Sequence, residues 1–167
     1  MTGRNGFAAA LVAAGMMVAG LGASASDAPA MAEDYGDIAY TSTQGDFDDV
    51  KLAVEDAIVN RGLVIDYQGQ FGKMLERTAE ATGGVPVFSN AEWVQFCSAA
   101  LSQAMVEADP RNVGYCPYTV VVYELAAKPG EVHVGYRRPG AAGSEASMQA
   151  LGAVDALLAE IVKEATE

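Results

Sequence analysis

The chain has 167 residues and a formal net charge of −12, from 10 Lys and Arg against 22 Asp and Glu. So acidic a surface repels nucleic acid and anionic membrane, and no basic cluster offsets it, Arg137-Arg138 being an isolated pair. The same acidity suits cations, cationic partners or plain solubility.

The first 25 residues read as a secretory signal peptide. Arg4 lies in a short basic start, an apolar run extends from Phe7 to Leu21, and Ala23-Ser24-Ala25 is a small-residue cleavage site. The run is shorter than the roughly 20 strongly apolar residues a span requires, so no stable membrane anchor is expected after cleavage. Ala30-Met31-Ala32 is an alternative site, and no lipobox cysteine follows. The expected location is therefore the bacterial periplasm or the exterior. Arg4 is the one base in residues 1–25 and no acid falls there, so nine bases against 22 acids would remain, a charge of −13. Residues 26–37 are rich in Ala, Pro and acid and are expected to form a flexible leader. Residues 38–167 are expected to form one domain, large enough for a core of its own.

In chain order, Ile38–Thr43 reads as a strand. Asp46 caps a helix in which Phe47, Val50, Val54, Ala57 and Ile58 recur at helical spacing, with Gly62 closing it. Leu63–Tyr67 is a second strand. Phe71–Ala81 reads as a helix with Phe71, Met74, Leu75 and Thr78 inward, stopped by Gly83-Gly84. Val85–Asn90 is expected to be irregular and Glu92–Cys97 to be a third strand. Ser98–Glu107 is a short helix ended by Asp109-Pro110, since a residue before proline avoids the α region. Tyr118–Leu125 (YTVVVYEL) is aromatic and β-branched throughout, suiting a strand buried on both faces or nearly so.

Ala127-Lys128-Pro129-Gly130 supplies a turn into Glu131–Arg137, where Val132, Val134 and Tyr136 alternate with His133, Gly135 and Arg137. Ser144 caps a last helix with Met148, Leu151, Val154, Leu158, Ile161 and Val162 as its apolar stripe. The order β-α-β-α-β-α-β-β-α predicts an α+β two-layer sandwich, a mainly antiparallel sheet with helices packed on one face. The opposite face carries too many valines and tyrosines for bare solvent, which predicts a homodimer through the open sheet.

The strand Ile38–Thr43, the helix after it, GLVIDYQG from Gly62, Cys97 before a helix ending in ADP, CPYTVVVYE from Cys116 and VHVGYRRP from Val132 stand together in order and spacing. In these features the chain resembles the domain-of-unknown-function 302 family from about Tyr40 to Val162. The resemblance implies a TATA-box-binding-protein-like α+β fold, one copy per chain and commonly paired, and implies no particular activity. The export signal and a longer insert at Phe88–Phe96 depart from many members.

Candidate chemistry concentrates between Trp93 and Arg138, which hold both cysteines, the only histidine and the only tryptophan. In an oxidising compartment Cys97 and Cys116 suit a structural disulfide, a redox-active or ligand-binding thiol pair, or two separate inert cysteines. His133, mid-strand, is either exposed or hydrogen-bonded, or serves a metal, a haem iron or a proton relay. No haem-attachment motif is present, so any haem would be bound non-covalently; Met74 and Met105, possible extra ligands, fit helix core stripes better. Glu124, within an apolar strand, needs a partner, and Arg137 or Arg138 on the next strand is the expected one.

No nucleophile elbow, phosphate-cradling glycine loop or Ser-His-Asp set is found. The expected role is a non-catalytic exported ligand- or partner-binding module with its patch near Cys97, Cys116, Tyr118 and the hairpin. The alternative is a periplasmic redox or haem/metal-binding protein using Cys97, Cys116 and His133.

Overall fold

A computed structural model describes residues 33–141 and 143–167. The signal peptide expected at residues 1–25, and residues 26–32 of the expected leader, lie outside the described residues. Among the described residues there are six strands: β1 Glu33–Tyr35, β2 Ile38–Gln44, β3 Val64–Gly69, β4 Phe88–Cys97, β5 Tyr118–Leu125 and β6 Glu131–Arg137. Four helices join them: α1 Phe47–Val59, α2 Phe71–Thr82, α3 Ala99–Ala108 and α4 Glu145–Thr166, with a 3-10 turn at Pro110–Tyr115. The strands form one sheet in the order β1-β2-β6-β5-β4-β3, every neighbouring pair antiparallel.

The period of two along a strand sorts side chains between the faces. From β5, Tyr118, Val120 and Val122 are buried, and the register sets them beside Phe96, Val94, Tyr136 and Val134. This face meets the apolar stripes of α1 (Val50, Val54, Ala57, Ile58) and α4 (Leu151, Val154, Leu158, Ile161), with Met105 of α3. Thr119, Val121 and Tyr123 point the other way and are only half-buried, so β5 is not buried on both faces as its composition alone suggests.

α1, α3 and α4 begin where a side chain caps them, whereas Gln70 before α2 makes no such bond. Asp46 accepts from the Asp48 amide at 2.9 Å, Ser98 from Leu101 at 3.4 Å and Ser144 from Ser147 at 3.2 Å. Polar ties then align the layers. Arg61 donates to the Ala57 carbonyl and to Glu164 of α4, at 2.7 and 2.6 Å. Lys51 of α1 meets Glu92 of β4 at 2.9 Å. The buried Asn112 amide bridges the Met105 carbonyl and Ser147 of α4, at 2.9 and 2.8 Å.

Other expectations of the fold need correction. The leader is not wholly flexible, because Glu33–Tyr35 pairs with Ile38–Tyr40 and adds a sixth strand to the sheet. β4 starts at Phe88, inside the stretch expected to be irregular, because Phe88 and Asn90 pair with Leu125 and Glu124. Met74 and Leu75 are each 39 % exposed and no α2 residue is buried, so α2 contributes nothing to the core. It lies beside the first half of β4 instead, where Gly72 comes so close that a Cβ there would stand 3.0 Å from the Ala91 amide nitrogen. Met148, placed in the α4 stripe by spacing, is exposed in the first turn of that helix.

Leu158→Ala, which empties a fully buried position, is expected to destabilise the fold by about 2–5 kcal/mol. Leu75→Ala is expected to cost about 0.5 kcal/mol or less. Urea unfolding of the two variants checks both figures; equal losses would mean that α2 packs into the core after all.

Candidate functional site

Cys97 ends β4 one residue before the Ser98 cap of α3, and Cys116 precedes β5. They are joined as a disulfide with Cα atoms 6.1 Å apart, within the usual range. The bond closes a loop around α3 and the 3-10 turn, a constraint on the unfolded chain worth about 3 kcal/mol. Ser102 of α3 reaches both Cys116 Sγ at 3.7 Å and the Tyr118 hydroxyl at 3.2 Å. Burial pushes the Tyr118 hydroxyl pKa up, opposed by that hydrogen bond.

Cys97, Cys116 and Tyr118 therefore converge at one end of the sheet. His133 does not join them. It pairs in register with Tyr123, five residues along β5 from Tyr118, a distance of about 17 Å at roughly 3.3 Å per residue. It also points to the face opposite Tyr118. No single ion or haem is reached by the two sulfurs and this imidazole together. Among the described residues, no three His, Cys, Asp or Glu side chains are grouped to hold a metal.

Glu124 has partners other than the expected arginines. Its Oε1 accepts from the Gly130 amide at 2.7 Å, and its Oε2 from Ser89 Oγ at 2.6 Å and Asn90 Nδ2 at 3.1 Å. Arg137 pairs in register with Ile38, at the far end of β6 from Glu124's partner Val132, so an ion pair with Glu124 is out of reach. Arg138 stands 3.9 Å from Asp155. The carboxylate thus clasps the β5–β6 turn to the start of β4. Donation from Gly130, then Ser89 and Asn90, holds its pKa below the ordinary carboxylate value.

A group whose folded pKa is depressed stabilises above its unfolded pKa and loses that contribution as pH falls through the folded value. Stability measured by urea unfolding is therefore expected to differ most between the chain and Glu124→Gln at neutral pH. The gap should close as pH drops below the carboxylate range. A gap independent of pH would show that the charge is not what the three donors recognise.

The uncovered face holds the remaining candidate. Two rows cross it in register: Gly69–Trp93–Val121–Gly135–Tyr40 and Ala91–Tyr123–His133–Ser42. Trp93 lies over Gly69, where a Cβ would collide with the indole. Tyr40 lies over Gly135, where a Cβ would stand 2.7 Å from Tyr40 Cβ and from the Ala39 carbonyl oxygen. Gly69 thus leaves room for the indole above it, and Gly135 for the close approach of the Tyr40 Cβ and backbone.

Tyr123 stacks on His133 with centroids 4.6 Å apart, and Tyr40 meets the same imidazole edge-on at 6.1 Å. His133 is 7 % exposed and neither of its nitrogens has a hydrogen-bond partner among the described residues, Glu131 Oε1 standing off at 3.5 Å. The aromatic series continues from Tyr123 to Phe88 at 5.7 Å, to Phe71 at 6.0 Å and to Trp93 at 5.5 Å. Those four rings, with Val121 and Leu125, line a hollow of about 400 Å³. A second space of about 320 Å³ lies between α2 and β4, with Lys73 and Glu76 among its lining.

Sequence reasoning places Phe71 in the core and Phe88 in a loop. The glycines opposite Trp93 and Tyr40 were the available signal, but only strand register shows what they oppose.

The family model described as "Domain of unknown function DUF302" matches residues 38–165. A solved structure, that of an uncharacterized conserved protein DUF302 from Bacillus stearothermophilus, matches with a TM-score of 0.65 at 14% identity. The match covers 77% of this chain and 98% of that one and concerns the fold alone. No curated protein matches the chain.

Proposed function

We propose that this chain, which belongs to the DUF302 family, is an exported binding module whose working surface is the uncovered face of the sheet. The observation that carries the reading is the hollow of about 400 Å³ walled by Phe71, Phe88, Trp93 and Tyr123. Small-molecule sites are concave, mostly apolar and roughly 300–1,000 Å³ in volume. Export is supported by the signal-like residues 1–25 and by the Cys97–Cys116 bond, since disulfides persist in oxidising compartments.

Trp93 is the only tryptophan, so its emission reports the hollow without labelling. N-Phenyl-1-naphthylamine, a neutral apolar dye, is expected to bind saturably, with energy transfer from Trp93. Gly69→Ala, which pushes the indole aside, should weaken binding several-fold. A linear, unsaturable response from the folded chain would end this reading.

Pairing of two copies through the same face is a second reading, favoured by the half-buried Tyr40, Val121 and Tyr123, which lie opposite the face that α1, α3 and α4 cover. Sedimentation equilibrium is expected to give a dimer that Tyr123→Lys converts to monomer. A chain that stays monomeric at tens of micromolar would exclude the pairing.

A further inference from the structure

We infer that the hollow on the uncovered face takes a small organic cation of the quaternary-ammonium type. The inference rests on the binding-module reading and names the ligand class for the same site. Three observations lead to it.

The first is the wall. Trp93, Phe71, Phe88 and Tyr123 follow one another at centroid separations of 5.5, 6.0 and 5.7 Å. Interplanar angles of 38°, 60° and 75° keep the four rings from closing into a flat stack, so they bracket a space. An aromatic ring carries negative potential on its face, and a cation within about 6 Å of a centroid is attracted by it, most strongly at tryptophan. Aliphatic walls would serve a neutral apolar ligand equally well; a bracket of four rings favours a cation.

The second is charge. No Lys or Arg lines the hollow, and its one acidic residue, Glu92, has its carboxylate 2.9 Å from Lys51. An anionic ligand would be desolvated there with no base to meet it, at a cost that excludes it. A chain of net charge −12 draws cations toward its surface.

The third is hydration. A quaternary ammonium has no N–H to satisfy, so the shortage of hydrogen-bond acceptors in an apolar wall costs it little. A primary ammonium, with three donors to satisfy, would be penalised in the same place. At about 400 Å³ the space admits a trimethylammonium head and leaves room for the rest of the ligand.

The test titrates the purified chain with choline chloride and with 3,3-dimethylbutan-1-ol, its neutral isostere, at ionic strength held constant with NaCl. Trp93 emission is the readout. Choline is expected to give a saturable change with a half-saturation about tenfold below that of the alcohol. Phe71→Leu keeps an apolar wall but removes a ring, and should raise the choline value several-fold while leaving the alcohol unchanged. Circular dichroism checks that the variant folds, and Tyr123→Leu replaces it if it does not. Equal half-saturation for the two probes, or no choline response, overturns the cation inference. If N-phenyl-1-naphthylamine still binds in that event, the binding-module reading stands without it; if the dye also fails, both fall.

Discussion

Tyr118, Val120 and Val122 leave β5 on one side and Val121 and Tyr123 on the other, and that period of two governs the whole molecule. A slip of one residue against β4 or β6 would carry the buried set to the open face, so register is held by the hydrophobic effect itself. Once Val120 stands between Val94 and Tyr136, the stripes of α1 and α4 have one surface to cover. The strand side chains on the other surface are then fixed in relative position by pairing. The rows that bring Gly69 beneath Trp93 and Gly135 beneath Tyr40 are products of that register.

β4 extends past its neighbour, and this mismatch creates the hollow. β3 pairs only with the second half of β4, from Trp93 onward, so Phe88–Glu92 have a strand partner on one side only. α2 occupies the vacant side and brings Phe71 against Phe88 and Trp93. Because α2 covers an edge rather than a sheet face, Met74 and Leu75 stay exposed although their spacing is that of a core stripe. An amphipathic helix at an edge leaves room that a helix pressed on the sheet would fill. Among the described residues no helix is long and apolar enough to cross a membrane.

Polar groups in the fold are satisfied locally wherever a turn or cap is within reach. Glu124 accepts from a turn amide and two side chains of the adjacent strand instead of a distant guanidinium, since three short donors need no long side chain to be ordered. Asn112 ties the 3-10 turn to α4 in the same way. His133 is an exception, as are Trp93 Nε1 and Arg138 Nε. The imidazole is buried against two tyrosines with neither nitrogen hydrogen-bonded among the described residues, and it stands on the open face beside the aromatic hollow rather than near the cysteines.

Spacing and chemistry within a dozen residues were enough to read the order of helices and strands from β2 onward, the caps at Asp46 and Ser144, and the faces of β6. The sequence also marked Cys97 and Cys116 as a pair able to bond, without deciding among the alternatives for them. Tertiary structure decided what depends on partners distant in the chain. It brought Phe71, Phe88, Trp93 and Tyr123 around one space, although three elements separate the first from the last. It sent His133 to the opposite face from Tyr118, and it gave Glu124 its three donors in place of Arg137. Local periodicity reports which way a side chain points from its own element. Only strand register and the placement of α2 report what it meets there.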